Sequence, residues 1–145
     1  MKHITRLSIL ATLLLLVACS TNGSSPSAKE RGLLSTKMVN LSSGVDTYFH
    51  LLPGAPTGSD ASILEAATRH DKALLAPEFQ NYILRTQYQN PFAVILLCSK
   101  DGKQAIIEDA GCSARLDRQV TEDAPCEFTL HITQGCRVQG ADPRQ

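Results

Sequence analysis

The first apolar stretch, residues 7–17, is almost unbroken and follows a short positive start made by Lys2, His3 and Arg6. As a helix over residues 7–18 it would reach about 18 Å at about 1.5 Å per residue, against about 30 Å for a bilayer core. It is too short to stand across a membrane. Its layout is that of an export signal: basic start, short apolar centre, small residues at a cleavage point. The next stretch, Ser-Thr-Asn-Gly-Ser-Ser-Pro-Ser over residues 20–27, has no bulky apolar side chain. Such a segment cannot bury enough surface to order itself, so residues 19–29 are expected to form a flexible tether.

In the body the pattern changes several times. Leu33, Leu34, Met38, Val39, Leu41 and Val45 follow no clean period, and only residues 46–52 look like a short helix, capped by Asp46 and ended by Pro53-Gly54. Ser62 and Glu65 form a capping box, with Asp60 as a rival cap, and Ile63, Ala67, His70 and Leu74 recur at helical spacing. Glu65 and Arg69 stand four apart in the favourable order, and Pro77 stops the run. The spacing predicts the main helix over residues 61–75.

Strand patterns follow. Tyr82, Leu84, Thr86 and Tyr88 alternate, although Phe79, Tyr82 and Ile83 also fit a helix over 77–88. Residues 92–98 are apolar on both faces, as in a central strand covered on both sides. Asp101-Gly102 marks a tight hairpin into a strand over 104–108, and Ala110-Gly111 turns the chain again. Residues 126–133 alternate once more, with Phe128, Leu130 and Ile132 inward and the tail after Cys136 polar. The fold class expected is α+β: a small antiparallel meander of about four strands with one main helix packed on it. Residues 30–145 would form a single small domain, large enough to bury about 65% of its unfolded surface.

The end of the first apolar run is more specific. Leu16-Val17-Ala18-Cys19 resembles the lipobox of bacterial lipoprotein precursors, a resemblance confined to residues 1–19. It implies cleavage after Ala18, so that residues 1–18 are a signal peptide. It also implies diacylglyceration of the Cys19 sulfur and acylation of the new amino terminus, with palmitate-like chains holding the protein to a membrane. Two or more acyl chains give stable anchoring where one is marginal. Ser20 stands where the family's inner-membrane retention signal has aspartate. For a two-membrane bacterium the resemblance therefore implies an outer-membrane anchor with the domain facing the periplasm.

Cleavage would leave 145 − 18 = 127 residues, and loss of Lys2 and Arg6 takes the basic count from 14 to 12 against 14 acids. A net charge near −2 offers no basic excess for nucleic acid or anionic lipid. Five cysteines are an odd number until Cys19 is assigned to lipid; Cys98, Cys112, Cys126 and Cys136 then remain. Their spacings of 14, 14 and 10 lack the close pairs of a zinc knuckle, so two disulfides are expected and neither metal nor cofactor. An extended strand over 126–133 would hold Cys126 and Cys136 more than about 20 Å apart, beyond the ~7 Å a bridge spans. Of the two remaining connectivities, Cys112–Cys126 nested within Cys98–Cys136 is preferred.

No nucleophile elbow, zinc-helix motif or phosphate loop occurs. The histidines left after cleavage are His50, His70 and His131, and Glu108-Asp109 is the best carboxylate pair. Successive strand residues point to opposite faces, so that pair does not converge. The reading favoured is a non-enzymatic envelope lipoprotein that binds another envelope or secreted protein, as an accessory or an inhibitor of the immunity type. Its expected contact surface is the irregular loop carrying Arg115, Asp117, Arg118 and Glu122. The alternatives are a small envelope hydrolase using His70 or His131 with Glu108 or Asp109, and a purely structural lipoprotein.

Overall fold

The computed structural model describes residues 25–140. The signal run, Ala18 and Cys19 lie outside the described residues. The architecture is α+β, with a four-stranded antiparallel meander, one main helix and two disulfides in the C-terminal part.

The main helix is α1, Ala28–His50, not residues 61–75. Leu34, Met38, Leu41, Val45 and Phe49 recur at three- and four-residue steps and are all fully buried, which is the stripe of a helix lying on a core. Ser27 caps it, accepting from the Glu30 amide, and Pro26 just ahead is buried. Residues 26–29 of the expected tether therefore belong to the folded domain, residues 19–24 lie outside the described residues, and the short helix over 46–52 is the last part of a far longer one. At 23 residues α1 is about 34 Å long.

A second helix, α2, is Asp60–Ala67. Ser59 rather than Ser62 is its cap, accepting from the Ser62 amide. The Thr68 hydroxyl bonds back to the Leu64 carbonyl at 2.8 Å, and the chain breaks there into 3-10 turns at Lys72–Leu74 and Pro77–Asn81. The helix expected to run to residue 75 thus ends eight residues short. Asp60 is turned away from the helix end and toward the sheet, where its carboxylate accepts from the Thr86 amide at 2.9 Å and the Thr86 hydroxyl at 2.8 Å.

The sheet runs β1 (Ile83–Gln89), β2 (Phe92–Cys98), β3 (Ala105–Asp109) and β4 (Arg118–Gln119), in that order and antiparallel throughout. Strand wins over helix for residues 83–89 because every residue pairs with β2, from Ile83 opposite Cys98 to Gln89 opposite Phe92. The two-faced apolar character of β2 has the cause the sequence implies. Ala93, Ile95 and Leu97 pack on α1, whereas Val94, Leu96 and Cys98 face a C-terminal layer.

That layer replaces the long last strand expected over 126–133. Only His131–Thr133 is extended and paired, as β5, with β6 (Arg137–Gln139) in a separate two-stranded hairpin; the tail after Cys136 thus begins with a strand. The fourth strand of the main sheet is β4, upstream of Cys126. The disulfides are Cys98–Cys126 and Cys112–Cys136, crossed rather than nested. The sheet dictates this outcome. Cys98 pairs with Ala105, and the isolated bridge between Gln104 and Pro125 brings Cys126 beside Cys98. The nested pairing of Cys112–Cys126 and Cys98–Cys136 rests on loop size alone, which carries no trace of that adjacency.

Candidate functional site

The chemistry-bearing residues converge on β3 and the loop after it. Glu108 and Asp109 are both fully buried and point to opposite faces. Glu108 lies opposite Leu96 on the face of the C-terminal layer, and Asp109 lies opposite Ile95 on the α1 face.

Glu108 takes the place of a strand. One carboxylate oxygen accepts from the Thr129 and Leu130 amides at 2.7 and 2.9 Å, and the other accepts from the Thr129 hydroxyl at 2.7 Å and Arg118 at 3.3 Å. The segment before β5, having no neighbouring ladder for these amides, is hung from the sheet by a side chain. Gln89 repeats the device one step further on, donating to the Leu130 carbonyl at 2.9 Å and accepting from the Ile132 amide at 2.8 Å.

Asp109 ties α1 to the loop. It accepts from the Ser42 hydroxyl of α1, from the Asp117 amide at 2.8 Å and from the Gly111 amide at 3.3 Å. Asp117 returns the contact by accepting from the Ala110 amide at 2.8 Å. Gly111 sits at φ +68°, and a Cβ there would meet the Ser42 carbonyl oxygen at 2.6 Å. Helix and loop approach too closely for any other residue.

Burial in this seam pushes the Asp109 carboxyl up to about 6, with the Asp117 charge adding to the push while the Ser42, Asp117 and Gly111 donors oppose it. Its folded value is raised, so the stability it contributes is full below the ordinary carboxylate value of about 4 and is lost as the pH rises through about 6. At about 1.4 kcal/mol per unit this amounts to about 3 kcal/mol at most. Asp109→Asn is expected to flatten the stability profile between about pH 4 and pH 7. Urea midpoints of both proteins across that window test this. A difference between them that does not change with pH would remove Asp109 as the titrating group.

The expected contact surface divides in two. Asp117 and Arg118 are half-buried and spend their polar atoms on the domain itself. Arg115 and Glu122 are exposed. Glu122 lines a cleft of about 380 Å³ together with Glu30, Arg31, Tyr82, Lys100 and Asp123. Tyr82 donates to Glu30 at 2.6 Å; burial, and then this bond to a carboxylate, hold its phenol up at about 12. Arg31 donates to the Pro26 and Val120 carbonyls. The cleft draws on separate stretches of chain, and no spacing in the sequence marks it.

Neither His70 nor His131 is among the hydrogen-bond partners of Glu108 or Asp109. Both are exposed, His70 beyond α2 and His131 on β5. His50 turns to its own helix, with Nδ1 at 2.9 Å from the Asp46 carbonyl, and its ring lies edge-on to Phe92. Among the described residues no cluster of three or more histidine, cysteine or acidic side chains could hold a metal ion, and no helix is long and apolar enough to cross a membrane. Comparison with protein families, with curated proteins and with solved structures gives no match for this chain.

Proposed function

We propose that the chain is an envelope lipoprotein, held to the outer membrane of a two-membrane bacterium by lipid on Cys19, and that its domain acts by binding another envelope or secreted protein rather than by catalysis. The observation that carries this reading is the pairing of the body's cysteines. Four of the five bridge one another, so the odd sulfur is the one at the end of the lipobox. Disulfides of this kind belong to oxidising compartments, which agrees with export. The two buried carboxylates support the non-catalytic part. Both are fully buried and accept from donors of the domain itself, which suits a structural use.

Within this reading Arg115 and Glu122 are contact residues, and Asp117 and Arg118 hold the loop that presents them. Pro26 is buried and its carbonyl accepts from Arg31, seven residues after Cys19. At about 3.5 Å per residue the leash is at most about 25 Å. The partner is therefore met close to the bilayer.

The anchor is tested by Cys19→Ala. Wild type is expected in the detergent-rich phase of a Triton X-114 partition, with intact mass showing a chain cut after Ala18 and carrying acyl groups. The variant is expected to accumulate as uncleaved precursor. A wild-type mass with an unmodified residue 19 would overturn the anchor. Binding is tested separately by mild crosslinking in the envelope. One defined partner should be captured by wild type and lost on Arg115→Glu with Glu122→Arg. Equal recovery with the double variant would remove this surface.

A further inference from the structure

The two disulfides have similar loop lengths but opposite surroundings. Cys98 is fully buried and Cys126 nearly so, among Leu96, Ala105 and Val120 on the covered face of the sheet. Arg85 closes that site from outside, donating to the Cys126 carbonyl at 2.8 Å and lying over the Phe128 ring. Cys112 and Cys136 are both half-exposed. Cys112 borders a shallow, open cleft of about 390 Å³, with Ser113 and Ala114 on its rim. Cys136 sits in the turn of the β5–β6 hairpin at φ +56°, next to Gly135 at +74°, a left-handed backbone that a residue with a Cβ seldom adopts.

What each bridge secures also differs. Cys98–Cys126 fastens the strand that fills the core. Cys112–Cys136 fastens only the hairpin, which otherwise rests on the Gln89 clamp and on Leu130, Ile132 and Val138 over Val94 and Ala110.

We propose that Cys112–Cys136 is an exchangeable bridge, opened by a dithiol reductant at the surface, and that its opening releases the β5–β6 hairpin while Cys98–Cys126 stays closed. A reductant thiolate attacks one sulfur of the pair and the S–S bond breaks. The other sulfur leaves as thiolate, and the reductant's second thiol resolves the mixed disulfide. Two electrons pass to the protein, the two protons of the dithiol end on Cys112 and Cys136, and the reductant becomes a disulfide. Release lifts Ile132 and Val138 from the cluster of Val94, Ala110 and Leu130, while Leu130 stays hung from Glu108, so the redox state of one surface bridge controls access to the flank of that apolar cluster. The inference does not depend on how the chain is anchored.

The experiment is a dithiothreitol titration of the purified full chain without denaturant, trapped with N-ethylmaleimide and mapped by mass spectrometry. Cys112 and Cys136 should be labelled at a dithiothreitol concentration at least about tenfold below that which labels Cys98 and Cys126. Labelling of all four together, or of Cys98 and Cys126 first, overturns the proposal. Hydrogen exchange on the partly reduced species then reads the release. Amides of 131–139 should lose protection while those of 92–98 keep it. Unchanged exchange in the hairpin, or loss across β2 as well, overturns the second half.

Discussion

Glu108→Ala lowers the stability of the domain by about 4 kcal/mol, measured as a fall in the urea midpoint with both disulfides intact. Two backbone amides, at Thr129 and Leu130, lose their acceptor together; the Leu130 donor is buried and costs about 1–3 kcal/mol when left without a partner, and the Thr129 donor, at an exposed residue, costs less. Arg118 also loses its carboxylate, a smaller cost because its side chain is 26% exposed and water can solvate the charge left behind. These costs overlap, because Thr129 and Arg118 share the same oxygens and the segment can partly rehydrate once released. Glu108→Gln separates them. It keeps one oxygen for the two amides but turns a donor toward Arg118, so about half of the loss is expected. A change of less than about 1 kcal/mol for the alanine variant would mean that the C-terminal layer is held by something other than this carboxylate.

Removal of the inner bridge, as Cys98→Ala with Cys126→Ala, is the second large effect, at about 4–5 kcal/mol. The sequence separation of 28 corresponds to about 3.6 kcal/mol in the chain-entropy model, and the buried sulfurs leave a space in the packed face that adds to it. The outer pair, Cys112→Ala with Cys136→Ala, closes a separation of 24 and should cost only the loop-closure part, about 3.4 kcal/mol, since its half-exposed sulfurs leave no core cavity. In thermal unfolding the inner removal is expected to lower Tm by about 15 °C. Equal losses for the two pairs would show that burial of the inner sulfurs contributes nothing beyond loop closure.

The meander is readable from the sequence because its strands announce themselves locally. β2 is apolar on both faces, and Asp101-Gly102 marks the turn that follows it. α1 is not readable, although its stripe of Leu34, Met38, Leu41, Val45 and Phe49 is regular. Leu33 and Val39 blur the period, and Ser35, Thr36, Asn40, Ser42, Ser43 and Gly44 are poor helix formers. The helix is held by what it lies on, and the sheet beneath it does not exist until the chain has folded. The opposite error extends α2 to residue 75, where the pattern continues but the Thr68 hydroxyl and the Asp71 cap redirect the backbone.

The site shows the same limit. Glu108 and Asp109 stand out in the sequence as a pair, and alternation correctly sends them to opposite faces. That each acts as an acceptor for backbone from a distant segment is a property of tertiary placement. So is the crossed pairing of the cysteines, which follows from Cys126 being carried alongside β3 by the Gln104–Pro125 bridge. Arg118 and Asp117 read as surface charges for the same reason: their side-chain partners, Glu108 and the Ala110 amide, lie ten and seven residues upstream at the end of β3.

Asp60 carries a consequence beyond fastening α2. β1 is an outer strand, and its outward amides could recruit the corresponding strand of a second molecule, the usual first step of edge-to-edge aggregation. With a carboxylate already seated on the Thr86 amide, an incoming carbonyl finds its donor occupied and a negative oxygen in its path. A single acidic side chain thus blocks the open edge of the sheet at the middle of its outer strand.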